Sequence, residues 1–146
     1  MPRLVRFFVK SSFIWLVLAL GMKALALFPA GAALPAITPV SWHLLFVGWL
    51  MQFIIGIGHW MLPTRVGARK PRLRGDERLM WAVWGLLNLG LLLRLLAEPM
   101  LVAHPAALWR VLLVTSAWLQ WLAGMGFVFN SWLRARAPVQ RGKRGA

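Results

Sequence analysis

The chain has 146 residues, of which 60% are hydrophobic, with a mean hydropathy of +0.69, 10 Trp, no Tyr, no Cys and a formal charge of +14. A soluble domain of this size cannot hide that much apolar surface, so the composition predicts an integral membrane protein with no separate soluble module. The missing cysteine excludes disulfides, thiolate metal sites, cysteine nucleophiles and covalent attachment of a c-type haem.

The first 10 residues, MPRLVRFFVK, are basic and then apolar, in the manner of a signal peptide. The apolar stretch is too long for one, and no convincing small-residue cleavage pattern with a soluble chain beyond it follows, so a retained first span over about 7–28 is expected. Pro29, Pro35 and Pro39 with Gly31 then form an uncharged break. A second span is predicted over 40–62. The next segment, TRVGARKPRLRGDER, is strongly basic, and a third span follows over 79–97, closed by Glu98-Pro99. The connector MLVAHPA leads to a fourth span over 108–133. Residues 134–146, which include Arg134, Arg136, Arg141, Lys143 and Arg144, read as a basic and disordered tail. The fold class is therefore all-α, an integral membrane four-helix bundle forming one domain over 1–133.

Orientation follows from charge, because Lys and Arg beside a span stay on the cytoplasmic side. The N-terminus, the second connector and the tail carry nearly all of them, while the first and third connectors carry none. Four spans put both termini together, and all three basic segments then agree on the cytoplasm, most simply that of a bacterial inner membrane. The same positions account for the charge without nucleic acid, for which no fold or aromatic pattern is present.

Polar groups inside a bilayer are expensive and are read first as functional. At about 1.5 Å per residue, six ionisable residues fall near the outer membrane level: Lys23, His43, Arg94, Glu98, His104 and Arg110. Snorkelling and an i,i+4 pairing of Arg94 with Glu98 would account for them one by one. An anionic ligand would account for the cations together. His59 lies 16 positions after His43, roughly 24 Å along a helix, so the two cannot share a metal within one chain. It is expected to be wet at the inner interface. Gly48, Gln52, Gly56 and His59 recur at steps of three and four residues, a seam along which another helix can approach closely. His43 is expected to point away from that seam, above Val47, Leu50, Ile54 and Ile57. Asn88 and Gln120, at mid-depth, read as hydrogen-bonding glue between helices. With three acidic residues in all, acid–base catalysis and hard-cation sites have almost no ligands available.

His43-Leu-Leu-Phe-Val-Gly48-Trp49, followed by Gly56 and Trp60-Met-Leu-Pro63, resembles a helix of the haem–copper oxidase catalytic subunit, in the branch of the cbb-type oxidases and nitric oxide reductases. The family pattern is roughly His-x-His-Leu-x-x-x-Gly-Trp, its first histidine binding the high-spin haem and its second the low-spin haem b. His43 matches the second; Ser41 stands at the first. The chain is also similar to short four-helix proteins described as oxidase-subunit-I-like. The resemblance implies a haem b held by His43, with propionates outward against Arg94, Arg110 and Lys23, and a role in electron transfer. It implies no oxygen or nitric oxide reduction by this chain alone, since the copper-binding histidines are missing. The second axial ligand is open: His43 of a second copy across a seam of Gly48, Gln52 and Gly56, His104 folded back, or Met22 or Met125. An iron with no second ligand would bind a gas. Beside a haem protein, acting as a homodimer or within a respiratory complex, stands a cofactor-free subunit or scaffold in which His43 joins helices.

Overall fold

The computed structural model describes residues 1–62 and 75–135, apart from the side chain of Leu133. The described residues are helical with no strand. Four helices are long and apolar enough to cross a membrane: α1 (Arg3–Leu25), α2 (Ile37–Met61), α3 (Glu77–Ala103) and α4 (Ala107–Ala135). Each exceeds the ~20 residues that a bilayer core requires. The basic connector's Arg65, Arg69, Lys70, Arg72 and Arg74, and the tail beyond Ala135, lie outside the described residues.

All four spans exist, with different ends. α1 begins four residues before the expected position, so Arg3, Arg6 and Lys10 lie within it. It ends at Leu25, and a single turn, Pro29–Ala32, with proline at its first position, fills part of the break. α3 does not stop at Glu98-Pro99 and continues to Ala103. Proline removes only the bond its own N–H would have made to Leu95, and the final turn is still closed by His104 N–H on Met100 O at 2.8 Å. At its other end α3 is capped by Asp76, whose Oδ1 accepts from Arg78 N–H at 2.9 Å. α4 continues past Leu133 to take in Arg134, which is therefore helical and not part of a tail.

In α2, residues Leu44–Met51 form a π-helical segment between α-helical turns. Its i→i+5 bonds place more residues in each turn than the α-helix does. Residue faces beyond the segment are thereby rotated from those a 3.6-residue period predicts. The apolar slot expected beneath His43 is consequently not one continuous face: Val47 packs on the core, whereas Leu50 and Ile54 are exposed.

The helices pair as two hairpins, α1 with α2 and α3 with α4, each brought close by glycine. A Cβ on Gly48 would lie 2.7 Å from Trp15 Cβ, and one on Gly56 would lie 2.6 Å from Phe8 Cβ. In the second hairpin, a Cβ on Gly90 would lie 2.9 Å from Gln120 Cγ and 3.1 Å from Ser116 O. The Gly48–Gln52–Gly56 seam is thus occupied by α1 of the same chain. A second copy cannot use it, which corrects the basis on which a dimer was expected.

Three helices build the core: Leu4, Phe8 and Trp15 from α1, Val40, Leu44 and Ile55 from α2, and Met80, Val83, Leu87 and Leu91 from α3. Among the described residues of α4, the buried core takes only Ala123. The fourth helix therefore packs chiefly on α3, outside the core that the other three share.

Candidate functional site

At mid-depth the polar side chains link helices. Ser11 Oγ of α1 accepts from Gln52 Nε2 of α2 and, at 3.0 Å, from Trp84 Nε1 of α3. Trp15 Nε1 donates to Asn88 Oδ1 at 2.7 Å, and Asn88 Nδ2 donates to Trp84 O at 2.8 Å. Asn88 is the interhelical glue its depth suggests. Gln120 is so only indirectly: its Nε2 donates to Ser116 Oγ of the same helix at 3.1 Å, and Ser116 makes the crossing, to Gly90 O at 2.7 Å. Pairing donors with acceptors here matters because the hydrocarbon interior offers none.

At the end carrying the first and third connectors, two of the expected side chains meet. His43 Nδ1 donates to Pro39 O at 3.0 Å, one turn earlier in α2. Its other ring nitrogen, Nε2, accepts from Arg94 Nη1 of α3 at 2.5 Å. The two contacts assign the neutral Nδ1–H tautomer, since a guanidinium only donates. Lys23 belongs to the same neighbourhood, with its Nζ 3.5 Å from the centroid of the Trp42 ring, and Trp42 in turn stacks on Phe46. That cation–π contact contributes about 0.5–1 kcal/mol. Arg94 Nε and Glu98 Oε2 are both shielded from solvent and without a hydrogen-bond partner among the described residues. His104 and Arg110 are exposed, with no described contact to this group. The described contacts therefore gather Lys23, His43 and Arg94; Glu98, one turn from Arg94, forms no ion pair with it among the described residues, and the six ionisable residues do not form one cluster.

The opposite end holds a residue the sequence reading passed over. Arg134 is fully buried, and its Nη2 donates to His59 O at 2.9 Å and to Leu62 O at 2.6 Å. Its Nη1 lies 3.3 Å from His59 Nδ1. His59, expected to be wet, is only 5% exposed. Carbonyls at a helix C-terminus lack intrahelical donors and carry the negative end of the helix dipole, so a guanidinium satisfies them on both counts. Nearby, Asn130 Oδ1 accepts from Asp76 N–H at 2.9 Å. That contact requires the backbone to come close at Gly75, whose φ is +88° and where a Cβ would sit 2.6 Å from Asn130 Oδ1. The signal was present in the sequence: an apolar span that ends on arginine, level with a helix end that has no cap of its own.

A haem can be tested against this geometry directly. An axial histidine offers Nε2 to the iron, and here that lone pair is held by Arg94. The guanidinium expected to meet a propionate is instead the partner of the ligand atom. As arranged, the residues do not fit a haem ligated by His43. Among the described residues no group of three or more His, Cys, Asp or Glu side chains is placed to hold a metal ion. No protein-family model, curated protein or solved structure matches the chain.

Proposed function

We propose that the chain is an integral membrane subunit, inserted with both termini in the cytoplasm, that acts by assembly and not through a bound cofactor. The observation supporting this reading is the contact between Arg94 and His43 Nε2, which turns the best ligand atom in the chain into a joint between α2 and α3. Ser11, Gln52, Trp84, Trp15 and Asn88 serve in the same way at mid-depth. What remains for function is the outer surface of the bundle.

One contact favours the second reading, a haem b protein of the electron-transfer class. The bond from His43 Nδ1 to Pro39 O is the kind that orients a ligating histidine with Nε2 toward a metal. For that reading Arg94 would have to leave Nε2 and turn to a propionate.

The chain purified in mild detergent and compared in reduced-minus-oxidised spectra separates the two. The assembly reading predicts no b-type bands. A Soret band abolished by His43→Ala, in a variant that keeps its helical circular dichroism, would overturn it.

A further inference from the structure

We propose that the exposed basic face of α1 formed by Arg3, Arg6 and Lys10 binds an anionic phospholipid in the leaflet that holds the N-terminus, with the headgroup on the cations and an acyl chain along Ile14 and Val17. The proposal goes beyond the assembly reading and does not require it. With both termini in the cytoplasm, that leaflet is the inner one, whose surface is negative.

At about 100° per residue, the three cations lie within about 60° of one another around the helix, and all three are exposed. They also converge in depth. Lys10 lies about 10 Å further along α1 than Arg3. A helical Cα–Cβ bond tilts toward the N-terminus, however, and long side chains lean the same way. Arg6 and Lys10 therefore reach back toward the level of Arg3, as snorkelling cations do.

Charge-driven insertion accounts for the end at which these cations lie, but not for what neutralises them. The chain has three acidic residues. Glu98 is at the other end of the bundle and Asp76 caps α3. No acid forms an ion pair with Arg3, Arg6 or Lys10 among the described residues. Nor do the cations serve their own helix: its first turn holds no acid, and the positive end of the helix dipole opposes them. Arg134 shows the contrast at the same end of the bundle, buried with its donors on His59 O and Leu62 O.

The occupant has to be anionic at one level and apolar below it. Following the cations along the same face, at steps of four and three residues, come Ile14 and Val17, 60% and 70% exposed. A soluble phosphate or a nucleic acid meets only the first requirement. A partner helix could meet both, but helices in membranes approach over small residues, and from Arg3 to Val17 this face has none. A phospholipid needs no close approach of backbones. On the flank toward α3, Phe7 packs edge to face on Trp81 at 5.2 Å. Each lies four residues into its helix, at the depth where aromatic side chains meet headgroups. The Trp81 N–H has no hydrogen-bond partner among the described residues, which leaves it to donate to lipid ester or phosphate oxygens.

The full chain is reconstituted in phosphatidylcholine vesicles containing a trace of spin-labelled phosphatidylglycerol or, in parallel, of spin-labelled phosphatidylcholine. The motionally restricted fraction of each label gives its relative affinity, and identical leaflets make the result independent of insertion direction. Wild type should prefer phosphatidylglycerol. Arg3→Gln, Arg6→Gln and Lys10→Gln should each lower that preference about two- to fivefold, as expected for one cation near the surface, and the triple variant should abolish it. Lys10→Arg should keep it. Arg78→Gln, which removes an exposed cation of the same end beside Asp76 and Glu77, should leave it unchanged. No preference in a wild-type chain that retains its helical circular dichroism overturns the proposal. An equal loss for Arg78→Gln also overturns it, by assigning the effect to net charge. So does full displacement of the labelled lipid by glycerol phosphate or polyglutamate, which would give the face to a soluble anion or an acidic protein. A Soret band in the same preparation would defeat the cofactor-free reading and leave the lipid site standing.

Discussion

The two ends of the bundle each place an arginine against a histidine of α2, and they use it differently. Arg134 lies fully buried at one end, its donors on two backbone carbonyls and the His59 ring. Arg94, at the other, meets one side-chain nitrogen and leaves Nε shielded and unpaired, one helical turn from an equally unpaired Glu98 oxygen. A guanidinium on backbone carbonyls has partners that cannot rotate away, and its removal strands them. A guanidinium on an imidazole depends on one rotatable partner. The first end is therefore a fixed joint and the second an exchangeable one.

The sharpest way to break this contrast is Arg134→Leu. Losing charge-assisted bonds to His59 O and Leu62 O should cost about 3 kcal/mol, read as denaturant unfolding in micelles by helical circular dichroism. Arg134→Lys should recover only part, because an ammonium lacks the forked donor geometry that spans both carbonyls. A loss below about 1 kcal/mol for the leucine variant, within the range of an ordinary neutral hydrogen bond, would remove the distinction between the ends.

Gly48→Leu comes next. Its side chain would be driven into Trp15, at a cost of about 1–3 kcal/mol, in the same unfolding assay. Gly85→Leu is the control, because a Cβ there meets nothing within 4 Å. Equal effects at the two positions would contradict the α1–α2 seam. A smaller loss is expected from Trp15→Phe, which keeps an aromatic ring but gives up the donor to Asn88, at least about 0.6–1 kcal/mol for a membrane hydrogen bond. The check is its thermal midpoint against wild type, and no shift would mean that the Asn88 contact contributes nothing.

The existence of four helices was legible because each needs only a long apolar run, and the runs are separated by Pro and Gly in the first connector, by charge in the second and by the proline-containing MLVAHPA in the third. Their ends were less so: Pro99 sits close enough to the end of α3 that one missing backbone bond does not stop it, and Arg134 looked like the start of a tail. The π-helical turns of Leu44–Met51 leave no mark in residue type, since they alter the bonding register and not the composition. Periodicity therefore assigned the wrong company to His43. Depth placed His43, Arg94 and Lys23 at one level, as found. It could not say which side chains would touch, because depth fixes one coordinate and the facing of a helix fixes another. That is also why Arg110 and His104, at the same level, stand apart.

The smallest expected effect carries the most weight. A double-mutant cycle of His43→Ala, Arg94→Leu and the pair, read as unfolding free energy in micelles, measures whether the two side chains act as one joint. The account predicts a coupling of about 0.6 kcal/mol, with the double variant losing less than the two single losses added together. Strictly additive losses would contradict it, showing that His43 and Arg94 serve the bundle separately and leaving the histidine's nitrogen free for another partner.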